Sequence, residues 1–362
     1  MNKSILFVHL LNDFSGSPKV LSNVMKITKN MGFKNYLLTS RAELSFFTDL
    51  TDGEFNYEYD ISSKRWLGLI KFLWIQFFSF YYVLKNYQKF EIIYVNTLLP
   101  FGAAFAGYIT RRKIIYHLHE SYLKPVILMK FLLFLVKITA SRVIFVSKYL
   151  NDCLDVGQIP SFIVYNTSDI KLVSEKDFES EKPEKFIVLM LSSLKVYKGI
   201  FEFISLAKSM VDNKNVKFEL VLNADEDEIH FFFNKKIIPP NVTIFSRTID
   251  TNVFYERASV VVNLTRSDLC IETFGLTILE GLFFNNPAIV PKVGGPTEII
   301  TDGENGYHID SKDIMKLREA INLLSSNKEI YKRMCLKAKL TSEKFSFAVF
   351  QDSIKKVFDN FL

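Results

Sequence analysis

Short apolar runs recur along the chain, separated by segments in which apolar residues return every three or four positions. The runs ILFVHLL (5–11), EIIYVN (91–96), KIIYHLH (113–119), RVIFVS (142–147) and FIVYN (162–166) read as buried strands. Strand, helix, strand is the rhythm of a doubly wound parallel sheet, because parallel neighbours need a crossover between them. The rhythm stops at TSDIKLVSEKDFESEKPEK (167–185), which is charged, holds Pro183 and lacks apolar periodicity. It resumes with FIVLMLS (186–192), FELVLN (218–223), VTIFS (242–246), SVVVNL (259–264) and PAIVP (287–291). The pattern predicts an α/β chain of two Rossmann-like domains, 1–168 and 186–345, joined by a linker at 169–185. The amphipathic stretch 346–362 is expected to cross back as a helix onto the first domain. In open parallel sheets ligands bind beyond the carboxyl ends of the strands, so the chemistry is expected in the loops there, where the two domains face each other.

Composition agrees with two large cores. The chain has 362 residues, 49% of them hydrophobic, with few Gly and Pro, which excludes collagen-like and disordered classes. Cys153, Cys270 and Cys335 are an odd number without metal-ligand spacing, which points to the reducing cytoplasm and away from a disulfide framework or a zinc site. The N-terminal MNKSILFVHLLND is apolar, but Asp13 and the lack of a small-residue cleavage pattern make it a first strand and not a signal peptide.

Charge is distributed unevenly. Residues 1–167 carry 19 Lys and Arg against 11 Asp and Glu, whereas the remainder carries 26 against 28. No helix-turn-helix, zinc or RNA-binding signature accompanies the basic half, so nucleic acid is not an expected partner. An anionic membrane surface accounts for the charge together with the aromatics, which crowd into 66–84 and 122–140. Lys71 and Gln76 interrupt the apolar stretch 65–89, which is read as a crossover helix and not a span. In 122–143, Lys124, Lys130 and Lys137 are expected along one stripe among Leu, Phe and Val, as in helices that lie in the headgroup plane. Core helices with snorkelling lysines are the other reading. The expected location is cytoplasmic, peripheral on the inner face of the cell membrane.

The most informative run is IETFGLTILEGLFFNNPAIVPKVGGPTEIITDGENGYH (271–308). Glu272 and Glu280 stand eight apart around TFGLTIL, a glycine turn leading into an apolar helix, with Gly294-Gly295-Pro296 and Glu298 downstream. Phe274 to Thr277 are expected to form the helix N-terminus, with Glu280 on its second turn. Free backbone N–H groups and the positive end of the helix dipole there suit a diphosphate. Glu280 is placed to accept both hydrogens of a ribose diol, and Glu272, in the loop, those of donor-sugar hydroxyls. A capped helix with two surface glutamates is the plain alternative.

This run resembles the E-x7-E signature of the retaining nucleotide-sugar glycosyltransferases of the GT-B fold, glycosyltransferase family 4, with its central F-G and its downstream G-G-x-x-E turn. The resemblance implies that Glu272 contacts the donor sugar, Glu280 the ribose, and the backbone of Phe274, Gly275, Leu276 and Thr277 the sugar and phosphates. MLSSLKVYKGIFEFI (190–204) resembles the family's G-R-L-x-x-x-K-G turn, which makes Lys198 the phosphate-binding lysine and puts Ser193 where the family has arginine. Arg247 and Arg266 are the candidates to replace that arginine. NDFSGSPKVLSNV (12–24) resembles the glycine-rich loop after the first strand, with Gly16 matching its second glycine. His119, at the end of KIIYHLH, matches a histidine that lines the crevice near the transferred sugar, while His117 is expected to alternate to the other face and serve as core.

Two further features are read as structural. Asp225-Glu226-Asp227 has the D-x-D form of a metal-binding motif but stands where a helix start needs caps. Cys270 has no histidine partner nearby in sequence and is read as a buried small residue. The resemblance implies a metal-independent transferase without cofactor, moving a hexose-type sugar with retention of configuration from a nucleotide-sugar donor. A lipid-linked saccharide in cell-surface polysaccharide, O-antigen or capsule synthesis is the expected acceptor. A nucleotide-sugar 2-epimerase of the same fold and a non-catalytic sugar-nucleotide-binding partner are the alternatives.

Overall fold

The computed structural model describes residues 3–42, 45–59, 65–168, 185–234, 236–248, 250–359 and 361. The expected linker lies, apart from Lys185, outside the described residues. The chain divides into two units, residues 1–166 with 348–362, and residues 167–347.

In the first unit the elements run β1 (Ser4–Val8), α1 (Gly16–Asn30), β2 (Lys34–Ser40), β3 (Gly53–Tyr57), α2 (Arg65–Asn86), β4 (Ile92–Asn96), α3 (Phe101–Ile109), β5 (Lys113–Leu118), α4 (Val126–Thr139), β6 (Arg142–Phe145), α5 (Lys148–Cys153) and β7 (Ser161–Ile163). Among the described residues the strands form one parallel sheet in the order β3-β2-β1-β4-β5-β6-β7. β1 and β4 lie at its centre and every residue in them is buried, which is why they read as unbroken apolar runs. The sequence rhythm names five strands here, and the sheet has β2 and β3 in addition.

The second unit runs β8 (Phe186–Ser192), α6 (Ile200–Ser209), β9 (Val216–Leu222), α7 (Glu226–Phe233), β10 (Val242–Phe245), α8 (Asn252–Arg257), β11 (Val260–Val262), α9 (Leu276–Phe283), β12 (Ala288–Val290), α10 (Pro296–Ile299), β13 (Gly306–His308), α11 (Ile314–Ser326) and α12 (Lys328–Glu343). Its sheet is parallel in the order β10-β9-β8-β11-β12-β13. The core on one side of it is built from Val188, Met190, Phe203, Phe218 and Leu220 with Leu317 and Ile321 from α11. α13 (Phe347–Phe358) closes the chain, and its Phe358 ring packs 5.6 Å from Phe33 in the first unit. The Arg142 guanidinium, on β6, donates to the Val357 carbonyl at the end of the same helix.

Both sheets reverse direction of growth once, between β1 and β4 and between β8 and β11. Such switch points leave a gap between diverging loops at the carboxyl ends of two adjacent strands, and a ligand fits there.

Candidate active site

The switch point of the second unit brings together the loops that follow β8 and β11. The first ends in a 3-10 turn, Val196–Lys198, and Gly199, whose φ of +83° is left-handed. A Cβ on Gly199 would fall 1.9 Å from the Leu264 carbonyl oxygen, so the loops touch only because this residue is glycine. The Arg266 N–H donates to the Tyr197 carbonyl at 2.8 Å and pins the second loop to the first. In consequence Lys198 Nζ donates to Glu272 Oε2 at 2.6 Å, an ion pair whose side chains are 26% and 19% exposed. Burial works against both charges, but the opposite charge outweighs it, holding the lysine above its usual pKa and the carboxyl below its own.

The Glu272 loop is clamped from below. Gly295 N–H donates to the Glu272 carbonyl at 2.9 Å, and a Cβ on Gly295 would lie 2.0 Å from the Thr273 oxygen. Gly294, at φ +99°, also sits close to Glu272, whose carbonyl oxygen a Cβ there would meet at 2.4 Å. The G-G-P turn thus works as a support that fixes where the Glu272 carboxylate stands.

α9 starts at Leu276, two residues later than the sequence reading places it, with Gly275 as N-cap at φ +98°. The Phe274 ring is buried against Phe345. The first N–H groups of a helix have no acceptor within it, so Leu276 and Thr277, both only partly buried, present donors at the positive end of the dipole. Glu280, one turn on, is 4% exposed and accepts from Tyr255 Oη at 2.7 Å on one oxygen and from Ser168 Oγ at 3.4 Å on the other. These bonds orient the Glu280 carboxylate. Nothing in the sequence motif singles out Tyr255; it is fully buried on α8 and stacks on Phe284.

Ser193 follows β8 directly, and its carbonyl accepts from Lys195 N–H at 2.8 Å. Of the two candidate arginines, Arg247 donates to Asn223 at 2.8 Å beyond β9. Arg266, on the loop after β11, stands against the Lys198 loop, with its guanidinium held by Asp268 at 3.0 Å and Glu202 at 3.5 Å. Lys195 is a nearer addition, exposed and with its ammonium 5.9 Å from the Tyr197 ring centre. The acids of the D-x-D run cap α7: Asp225 accepts from Glu228 N–H at 2.8 Å while Glu228 accepts from Asp225 N–H at 3.0 Å. Cys270 is partly buried, and burial raises its thiol above the usual pKa, which makes it a poor nucleophile.

In the first unit the corresponding strand ends carry His9, Asn96 and His119. Asn96 Nδ2 donates to the Ser17 carbonyl at 3.3 Å and to His9 Nδ1 at 3.1 Å, so its oxygen is left to accept from His119 Nε2 at 3.0 Å. Asn96 therefore ties His119 to the start of α1, where Gly16 is the first helical residue. Burial, with His117 and His9 beside it, keeps His119 neutral, well below the usual imidazole pKa. The expectation that His117 turns to the opposite face is overturned. Two residues apart on a strand means one face, and the two rings lie 4.4 Å apart. His117 is nonetheless fully buried, with Nδ1 2.8 Å from Tyr94 Oη. Glu120, next along, is partly buried, accepts from Leu98 N–H at 3.3 Å, and is pushed by burial up to about 7.

Residues 173–341 match the family described as "Glycosyl transferases group 1". Among curated proteins the chain is similar to an uncharacterized glycosyltransferase of Methanocaldococcus jannaschii, 26% identical over 61% of this chain and 60% of that one. It is also similar to the capsular polysaccharide biosynthesis glycosyltransferase CapM of Staphylococcus aureus, 25% identical over 52% of this chain and 50% of that one. The matched part thus spans between half and three fifths of these relatives' length. Among solved structures, HepE of Anabaena in complex with UDP-glucose covers 99% of both chains with a TM-score of 0.80 at 19% identity. The sucrose-phosphate synthase of Thermosynechococcus elongatus gives 0.77 at 15%. These likenesses show the GT-B fold.

Proposed function

From a chain that has the GT-B fold and whose residues 173–341 match the model of glycosyl transferases group 1, we propose a retaining glycosyltransferase that moves a hexose-type sugar from a nucleotide-sugar donor to a saccharide acceptor. The observation that carries this reading is the Lys198–Glu272 pair at 2.6 Å, standing on the loops either side of a switch point. Lys198 and the N-terminus of α9 at Gly275, Leu276 and Thr277 meet the negative charge that grows on the leaving diphosphate. Glu272 accepts hydroxyls of the donor sugar, Glu280 those of the ribose, and His119 is assigned to the transferred sugar as a neutral hydrogen-bonding group.

In the step itself the acceptor oxygen bonds to the anomeric carbon on the face from which the diphosphate departs. The bond to the diphosphate oxygen breaks, and the acceptor proton passes to the leaving phosphate, so configuration is retained. No metal or other cofactor is assigned to the step. A UDP-hexose is the first donor to test, since UDP-glucose is what HepE holds. A lipid-linked saccharide is the acceptor we assign, in keeping with the likeness to a capsular polysaccharide enzyme, and the cytoplasm is the compartment, in keeping with three free cysteines.

A thermal-shift screen against UDP-, GDP-, dTDP- and ADP-sugars tests the donor. A matching ligand raises the melting temperature by mass action. No response to any nucleoside diphosphate or its sugar would count against the reading.

A further inference from the structure

Large apolar side chains are exposed in both units, Phe231, Ile237 and Met315 among those of the second, but in the first they gather along two helices. On α2 the residues Trp66, Ile70, Trp74, Phe77 and Tyr81 recur at steps of three and four, so they form one stripe, and each is more than half exposed. On α4 the residues Ile127, Phe131 and Phe134 form a second stripe at the same steps, with Ile127 and Phe134 more than half exposed. The two helices flank α3, where Phe72 of α2 and Phe131 of α4 both meet the ring of Phe101, at 6.0 Å and 5.6 Å. Monomeric proteins rarely leave an apolar face of this kind open to water.

Charge identifies the occupant. α2, α3 and α4 contain no aspartate or glutamate, and the acids between residues 61 and 151 are Glu91 and Glu120, which lie at the ends of β4 and β5. Lys71 and Lys85 stand on α2, and Lys130 and Lys137 on α4. Lys124 precedes α4, so the expected stripe of three lysines reduces to Lys130 and Lys137, seven residues apart along one side of the apolar row; Lys137 also pairs with Asp155 at 2.5 Å. A second copy of the chain would bring lysines to lysines, and the acids beside this face, Glu58 and Asp155, already pair with Arg41 and Lys137. By length and composition α2 could cross a membrane, but it is packed on α3. Gln76 Oε1 accepts from Gly102 N–H at 2.9 Å, and a Cβ on Gly102 would lie 2.0 Å from the Gln76 carbonyl oxygen, so the two backbones touch and α2 is a fixed part of the unit.

We infer that the face formed by α2 and α4 docks on an anionic lipid surface, with the aromatic stripe among the acyl-chain ends and the lysines at the phosphates. The inference rests on this face alone and not on the proposed transfer reaction.

Trp66 and Trp74 are the two tryptophans of the chain, so tryptophan emission, excited selectively over the 16 tyrosines, reports this face. With vesicles of phosphatidylglycerol and phosphatidylcholine, emission is expected to shift to the blue as the full-length protein floats with the lipid. Binding to pure phosphatidylcholine should be weaker by tenfold or more. Phe77→Glu with Phe134→Glu should abolish the shift with the melting temperature kept, and Lys130→Glu should weaken it about fivefold. Three results would overturn the inference: no shift with anionic vesicles, equal binding to neutral ones, or a lipid-free shift that grows with protein concentration as the mass doubles. The last would assign the face to a second copy. Donor-induced thermal shifts should be the same in all these variants, which separates this outcome from that of the proposed reaction.

Discussion

Lys198 and Glu272, 74 residues apart along the chain, meet at 2.6 Å because Gly199 lets one loop touch the other at Leu264. Each holds the other's charge in place, so a donor bound as proposed, with its diphosphate at Lys198 and its sugar at Glu272, would enter a site that is already ordered.

Removing either member leaves a partly buried charge without its partner. Lys198→Ala and Glu272→Ala are each expected to lower turnover by roughly 10² to 10³. Each should also cost about 1–3 kcal/mol of stability, less than a fully buried pair because water still reaches both groups. The double variant should regain much of that stability while remaining inactive. Thermal melts alongside steady-state kinetics distinguish this from two independent surface residues, for which the stability losses would simply add.

Tyr255→Phe removes the 2.7 Å bond to Glu280 and nothing else from the buried surface. A hydrogen bond to a buried carboxylate contributes about 1.5–3 kcal/mol. The expected result is a rise in donor KM of about tenfold with kcat changed little, since Glu280 is assigned to the nucleoside. A fall in kcat with unchanged KM would place Tyr255 in a different role.

Gly295→Ala puts a methyl group 2.0 Å from the Thr273 oxygen, which only movement of the Glu272 loop relieves. Activity is expected to fall by at least tenfold while the second unit stays folded, as circular dichroism and a donor-analogue thermal shift would report. Gly303→Ala, with open space around it but a φ of +77°, is the control: it strains a turn without pressing on the Glu272 loop and should spare turnover.

Glu120 supplies a pH dependence of known sign. Burial raises its carboxyl from 4.5 to about 7, so its contribution to stability is whole below pH 4.5 and declines as pH rises through about 7. Buried His9 and His117 are lowered from 6.5 to about 4 and about 3, so theirs is whole above pH 6.5 and declines as pH falls toward those values. Glu120→Gln removes the first effect alone. Its melting temperature relative to the parent should therefore climb between pH 5 and pH 8, by an amount corresponding to at most about 3 kcal/mol. A constant difference across that range would show that Glu120 ionises as readily as in water.

Strands that bury both faces announced themselves in sequence, as β1, β4 and β8 did. β2 did not, because Asn35 lies wholly buried inside it and bonds to Thr28 Oγ1 and the Met25 carbonyl, which breaks its apolar run. β3 alternates at a sheet edge and β13 has three residues, so neither carries enough signal. In the site, Lys198, Glu272 and Glu280 were legible because each belongs to a local motif. Tyr255 and Asn96 were not: their importance comes from what they bond to across the fold, and single residues on α8 and β4 have no spacing to betray them. His117 was misread through counting strand faces by one residue where the step was two.

The most direct test of the account is release of nucleoside diphosphate from UDP-, GDP-, dTDP- and ADP-glucose by the parent chain and by Lys198→Ala, with acceptor present. The account predicts release from one of these donors and a loss of roughly 10² or more in the variant. Equal release by the two proteins would contradict it.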